Sequence, residues 1–290
     1  MKNCIQIIAP SSPPSDAQTV LENGIKLLTQ KGFSFKVSEN LVMPYLFYAN
    51  TLDYRVQDCI QALNDPEVDI ILALRGGSGA GDVVCELLKR KSEIHITRPK
   101  IIIGFSDITA VHVFASQVLN IASIHANNLA SIVEYPDTLD PIIEVARGGE
   151  NSFALCAMNN LAGLLNAINA KLIGGNLTVL QCLIGTPMQP DFDNKIVILE
   201  DVGEPGYKID RALAQFMRAN LFAKVEAIIF GDFTQSLDYD QSINAFAASF
   251  DKPVFRVDHI GHDQSKNQPI ILGANALIDD LKLSIISPFN

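Results

Sequence analysis

The chain has 290 residues, 48% of them hydrophobic and 19% charged, which describes a compact globule and excludes a disordered protein. That length predicts two compact domains or one large α/β unit, able to bury a core without disulfide or metal staples. With 32 acidic against 22 basic residues the net charge is −10, a sign that repels phosphate backbones and sets nucleic acid aside as a main partner.

CIQIIAP (4–10) reads as a first strand, short and apolar and stopped by Pro10 and the SSPP turn. A helix is expected over 16–31, with Asp16 as its cap and Val20, Leu21, Ile25 and Leu28 as its apolar stripe. Phe33 to Val37 alternates as a strand does. VDIILALRGG (68–77) is a continuous apolar run ending in glycines, the pattern of a strand buried on both faces. A helix over 81–91, a buried strand in KIIIGFSD (100–107), a helix over 108–119 and a short strand in NIASIHA (120–126) follow.

After about residue 130 turn and cap residues come at short intervals, and the Ala/Leu/Asn-rich segment 154–170 is expected to be helical. It is read as the connection between two domains, 1–165 and 166–290. The second half restarts at GGNLTVLQCLIGTP (174–187) and continues with a strand KIVILED (195–201) and a helix over 207–220. A strand VEAIIFGDF (225–233), a helix over 240–250 and a strand PVFRVD (253–258) come next. The tail PIILGANALIDDLKLSIISPF reads as a hairpin-like pair of strands around Gly273. Alternation of this kind predicts two α/β lobes.

Cys4, Cys59, Cys85, Cys156 and Cys182 are odd in number and lack CxxC spacing, so reduced thiols are expected. The opening MKNCIQIIAPSSPP has too short an apolar run for a secretory leader, and no window nears the roughly 18 apolar residues of a membrane span. The expected location is the cytoplasm, away from membranes.

Two strand-to-helix junctions carry chemistry, as such junctions do in open α/β sheets. The glycines of LRGGSGAG (74–81) let backbone N–H groups approach a ligand. No lysine follows as in a P-loop and the spacing is not GxGxxG, so phosphate cradle, tight turn and oxyanion donor all stay open. In IIIGFSDIT (101–109), Ser106 sits where a nucleophile elbow would put it, with Ile108 in place of the second glycine of GxSxG. The alternative is a serine that only caps the next helix. Ser78 is a rival nucleophile or a turn residue.

A serine nucleophile needs a base and an orienting carboxylate. His95 and His112 read as structural, and His125 is placed to line a site. His259 and His262 lie in VDHIGHDQSKN, a polar loop straight after a strand. Glu200 and Asp201 end the apolar strand KIVILED, either as caps or as the partner of a base. Arg75, beside the glycine loop, is a candidate grip for a substrate carboxylate or a scaffold for the loop.

At these segments the chain resembles the LD-carboxypeptidases of peptidoglycan recycling and the microcin-immunity peptidases, together serine peptidase family S66. The blocks run from IIAPSSPP through RGGSGAGD, IIIGFSDITAVH, GGNLTVLQCLIGTP, ILEDVGEPGYKIDRALAQF and IIFGDF to GHDQSKNQPIILGANALID. The resemblance implies a cofactor-free, metal-free hydrolase of two lobes, a parallel-sheet Rossmann-like one and a mixed α/β one, with its site at their interface. It implies a triad of Ser106, Glu200 and His262, with the backbone N–H groups of Asp107 and Gly77 as oxyanion hole. It implies a muropeptide substrate that loses a terminal D-alanine from the L-centre of a diamino acid, and a homodimer, which is common among relatives.

Departures from the family pattern are Ser78 where an aromatic residue is usual in GGYG, HANN (125–128) in place of HGP, Asp263 after GH, and His259 as a second base candidate. The Ser78 exchange predicts an altered substrate wall near the glycine loop. An immunity peptidase acting on aminoacyl-nucleotides is the rival reading, disfavoured by the absence of tryptophan and a short middle section. A non-catalytic ligand-binding protein would have lost a triad residue, and a Rossmann nucleotide enzyme would show its glycine fingerprint.

Overall fold

A computed structural model describes residues 4–163 and 167–289. In the first half the chain runs β1 (Cys4–Ile8), α1 (Ala17–Gln30), β2 (Ser34–Val37), α2 (Leu52–Asn64), β3 (Ile70–Ala73) and α3 (Ala80–Lys89). It continues with β4 (Ile101–Gly104), α4 (Thr109–Phe114), β5 (Ser123–His125), α5 (Leu129–Glu134) and α6 (Leu139–Ala146). Next come β6 (Asn151–Ala154), β7 (Cys156–Ala157), β8 (Ile168–Asn176), α7 (Leu177–Cys182), β9 (Lys195–Val202) and α8 (Gly206–Arg218). The rest is β10 (Ala227–Thr234), α9 (Tyr239–Ser249), β11 (Val254–Arg256), β12 (Ile270–Leu272), β13 (Asn275–Asp279) and β14 (Lys282–Ile285).

Two sheets carry these strands. The first has the order β12-β5-β4-β3-β1-β2, parallel throughout except for β12 at its edge. Its apolar residues alternate between two cores: Ile70 and Leu72 face α1, α5 and α6, whereas Ile71 and Ala73 face α2, α3 and α4. Burial on both faces explains why these strands read as continuous apolar runs. The second sheet has the order β6-β14-β13-β8-β9-β10-β11-β7, with β8 to β11 parallel and the flanks antiparallel. Both apolar clusters include residues of both sheets, so the core runs continuously through the molecule. No described helix is long and apolar enough to cross a membrane.

Most expected elements form. Asp16 caps α1 by accepting from the Thr19 N–H at 3.0 Å. The helix expected over 108–119 is α up to Phe114, then a wider π turn over Ala115–Leu119 that stops at Asn120 in the left-handed region. Three expectations are corrected. The helix expected over 154–170 does not form in the described part of that segment, and 164–166, which hold the expected domain boundary, lie outside the described residues. Instead β7 pairs with β11 and Ile168 begins β8, because cross-strand pairing overrides the helix-permissive Ala/Leu composition.

The strands flanking Gly273 do not form a hairpin with each other. β12 adds antiparallel to β5 in the first sheet, whereas β13 turns into β14 through Asp280 and Leu281, both at positive φ. Lastly, α2 was not expected at all. Buried Arg55 and Asp58 interrupt its apolar stripe, so the 3.6-residue period is masked.

Asp58 is a buried carboxyl that accepts from the Ser38 hydroxyl and the Ala9 N–H, tying α2 to β1 and the end of β2. Burial outweighs these donors and pushes its pKa up to about 6. The folded protein therefore holds this proton more tightly than the unfolded chain does. The associated stability is fully present below about pH 4 and is lost as pH rises through about 6. Asp58→Asn should remove that decline. In denaturant unfolding, the stability difference between variant and wild type should change by about 3 kcal/mol from pH 4 to pH 8. Parallel pH curves would refute it.

Candidate functional site

Strand order 2-1-3-4-5 reverses direction between β1 and β3, and such a switch point opens a crevice at the carboxyl ends of the strands. The loop after β1 brings Ser11 and Ser12 there, the loop after β3 brings the glycines, and the turn after β4 brings Ser106. From the second sheet come Glu200, on β9, and His262, in the loop after β11. The resulting cleft, of about 360 Å³, is lined by Arg75, Gly77, Phe105, Ser106, Glu134 and His262 among others.

Ser106 has φ 64°, a left-handed conformation that costs a non-glycine residue roughly 1–2 kcal/mol. Neither the short 3₁₀ turn at 106–108 nor α4 has a side-chain cap, so Ser106 is not serving as one. The glycine loop packs straight against it. A Cβ on Gly76 would stand 2.8 Å from the Ser106 Cβ, and one on Gly77, at φ +110°, would stand 2.6 Å from the Ser12 side chain. Ser12 Oγ accepts the Ser78 N–H at 3.1 Å. The Asp107 carboxylate accepts from Ser11 Oγ at 2.6 Å and from the Ala80 N–H at 2.9 Å. One side chain thus joins the β1 loop, the start of α3 and the elbow. Burial pushes the Asp107 carboxyl up from its ordinary range, against the pull of those two donors.

Alternation along β9 separates its two terminal acids. Asp201 accepts from Asn176 Nδ2, from the N–H and hydroxyl of Thr178 and from the Val202 N–H, fixing the start of α7. Glu200, with 0% exposure, points the other way and meets His262, Oε2 to Nδ1, at 2.6 Å. Burial disfavours the His262 imidazolium, but the Glu200 carboxylate wins and holds its pKa above the ordinary value. His262 Nε2 is buried and has no hydrogen-bond partner in the protein. The Phe105 ring lies 4.8 Å from the imidazole, centroid to centroid.

The other expected residues separate clearly. His95 and His259 are exposed and absent from the cleft lining. His112 bonds the Gly104 carbonyl through Nε2 at 2.9 Å, and burial lowers its pKa to about 4. His125 is fully buried, with Nε2 3.6 Å from Glu200 Oε1. Arg75 lines the cleft and donates one N–H to the Pro13 carbonyl at 2.7 Å. Ser78 lines an adjoining hollow of about 330 Å³ with Asp82, Thr178 and Cys182, joined to the cleft through Gly77.

The HANN segment holds the His262 loop. Asn127 Nδ2 donates to the Gln264 carbonyl at 2.7 Å, Asn127 Oδ1 accepts from Asn267 Nδ2 at 3.1 Å, and Asn267 Oδ1 accepts the Gly261 N–H at 3.0 Å. Asn128 caps α5 by accepting from the Ser131 N–H. Sequence reasoning marked Asn127 only as part of the HANN departure and passed over Ser11, Ser12 and Asn267. The adjacent serines at a β1 exit were an available signal; Asn267, which bonds across half the chain, leaves none. Among the described residues no group of three His, Cys, Asp or Glu is arranged to hold a metal ion.

Comparison with known proteins places this arrangement. Residues 5–126 match the LD-carboxypeptidase N-terminal domain and residues 169–278 the LD-carboxypeptidase C-terminal domain. A carboxypeptidase-named protein of Rickettsia conorii is 33% identical over 94% of this chain and 87% of its own length. The murein tetrapeptide carboxypeptidase of Pseudomonas aeruginosa is 26% identical over 96% of this chain and 94% of its own. The fold is shared with the microcin C7 self-immunity protein MccF in complex with aspartyl sulfamoyl adenosine, at a TM-score of 0.80 and 18% identity over 100% of this chain and 97% of that one. With both of its halves matched by the family's two domains, the chain belongs to the LD-carboxypeptidase family of peptidases.

Proposed function

We propose that the chain is a serine carboxypeptidase that removes the terminal D-alanine from murein tetrapeptides, at the bond that follows the L-centre of the diamino acid. The observation that carries this reading is the 2.6 Å Glu200–His262 pair, whose free Nε2 shares a cleft with a serine in a strained elbow. In this mechanism Ser106 Oγ attacks the peptide carbonyl while His262 Nε2 takes its proton and Glu200 stabilises the imidazolium. The N–H groups of Asp107 and Gly77 receive the developing oxyanion, a contribution of roughly 3–4 kcal/mol per donor. His262 then protonates the departing amine, D-alanine leaves, and water activated by the same imidazole hydrolyses the ester. Arg75 receives the substrate's terminal carboxylate, since a guanidinium grips it through two N–H groups.

Two further points support murein over an aminoacyl-nucleotide. The P. aeruginosa relative that bears the murein name is matched almost end to end. The cleft lining includes Phe105, only 2% exposed, and no tyrosine, so it offers little open ring for a nucleobase to stack on. We read 1–165 as the unit that brings the nucleophile and 166–290 as the unit that brings Glu200 and His262; the separate N- and C-terminal family matches support that division.

Ser106→Ala should lower D-alanine release from a tetrapeptide by roughly 10⁴-fold or more while the unfolding midpoint is retained; substantial remaining turnover would exclude Ser106 as nucleophile. Incubation of the wild type with tetrapeptide and, separately, with an aminoacyl sulfamoyl adenosine should give faster turnover of the tetrapeptide. The reverse preference would replace murein by an aminoacyl-nucleotide substrate. Because the base must be neutral and Glu200 raises the His262 pKa, kcat/KM should fall on acidification with a midpoint above the ordinary histidine value of 6.5. A midpoint at or below 6.5 would contradict that assignment.

A further inference from the structure

Glu200 stands between two imidazoles. Its Oε2 bonds His262, and its Oε1 has no hydrogen-bond partner but faces His125 Nε2 at 3.6 Å. His125 Nε2 has no partner either, and both side chains are at most 1% exposed. Two buried polar atoms left over from all other bonding therefore face each other. An unpaired buried acceptor is costly, and the cost is relieved only if the opposing atom is a donor. Burial, together with the neighbouring His112 and His262, holds the His125 pKa well below the ordinary value, so its ring is neutral and carries one N–H. A lone pair on Nε2 would repel the carboxylate, so that N–H belongs on Nε2.

The ring is well anchored. His125 pairs with Gly104 of β4 on one side and with Ile270 of β12 on the other, so its backbone is fixed between two strands. Phe105 from the elbow and His112 from α4 bracket the ring, each with centroid separation of 6.2 Å. The titratable groups that act on the ring are His112, His262 and Glu200 on β9.

We propose that His125 is a positioning residue: its Nε2–H donates to Glu200 Oε1 and fixes the carboxylate so that Oε2 stays on His262 Nδ1. This rests on the Ser106–His262–Glu200 reading. Without that second donor the carboxylate can rotate away, and the cost falls when His262 becomes charged, in the transition state. The role predicts a fall in kcat with little change in KM.

The test compares His125→Leu, which removes the donor, with His125→Gln, whose amide N–H groups restore it, in the full-length chain. The Leu variant should lose at least tenfold in kcat on tetrapeptide with KM within twofold, and the Gln variant should return to within about threefold of wild type. Proton NMR gives a readout independent of turnover. The short Glu200–His262 bond should produce a strongly downfield Nδ1–H signal in wild type and in the Gln variant, shifted or broadened in the Leu variant. Wild-type kcat in the Leu variant, or equal losses in Leu and Gln, would overturn the proposal. Should the Leu variant not fold, His125→Asn replaces it, since its shorter amide falls short of Oε1; Asn as active as Gln would overturn the proposal equally. Retained turnover in Ser106→Ala would refute the triad reading but leave the NMR comparison of the Glu200–His262 bond standing, so the two failures can be told apart.

Discussion

A carboxylate with no solvent contact, at the end of the central strand of the second sheet, is the constraint around which the molecule is organised. Taking such a group out of water costs several kcal/mol unless partners surround it. Glu200 has an imidazole on each side: His262, bonded from the loop after β11, and His125 of the first sheet, 3.6 Å away. Neither imidazole is on β9, so the environment of Glu200 exists only when the two sheets are in register. Packing at this point and chemistry at this point are one requirement.

The strand–helix junctions were legible because their patterns are local. Apolar runs ending in glycine placed β3 and β4, and the GFSD turn after β4 put Ser106 at an elbow whose positive φ the structure records. The family resemblance then selected Glu200 over Asp201 and His262 over His259. Alternation along β9 sends the two acids to opposite faces, Glu200 to His262 and Asp201 to Asn176 and Thr178. The two histidines differ in exposure: His259 faces solvent, and His262 is enclosed beside the acid.

What the sequence hid is long-range. The strands in 151–157, the destination of β12 and the asparagine pair that holds the His262 loop all depend on partners far along the chain, which no local window contains. Helix α2 failed for the opposite reason. Part of its buried face meets polar loops and not the apolar core, so Arg55 and Asp58 stand where apolar residues were sought; Arg55 donates to the carbonyls of Asn50, Pro10 and Gly79. Buried arginine of this kind supports the floor under the glycine loop, and its polarity conceals the helix that carries it.

Placing β12 on the edge of the first sheet has a bearing on synthesis. When the first half of the chain has left the ribosome, β5 still presents an open row of backbone N–H and C=O groups. The strand that closes that row, β12, lies far downstream in the chain. Until β12 emerges, the nascent protein therefore carries a sticky margin. Assembly of the His125 side of the cleft belongs to that later step, so a ribosome-bound fragment that stops short of β12 would hold the elbow serine without the finished acid pocket.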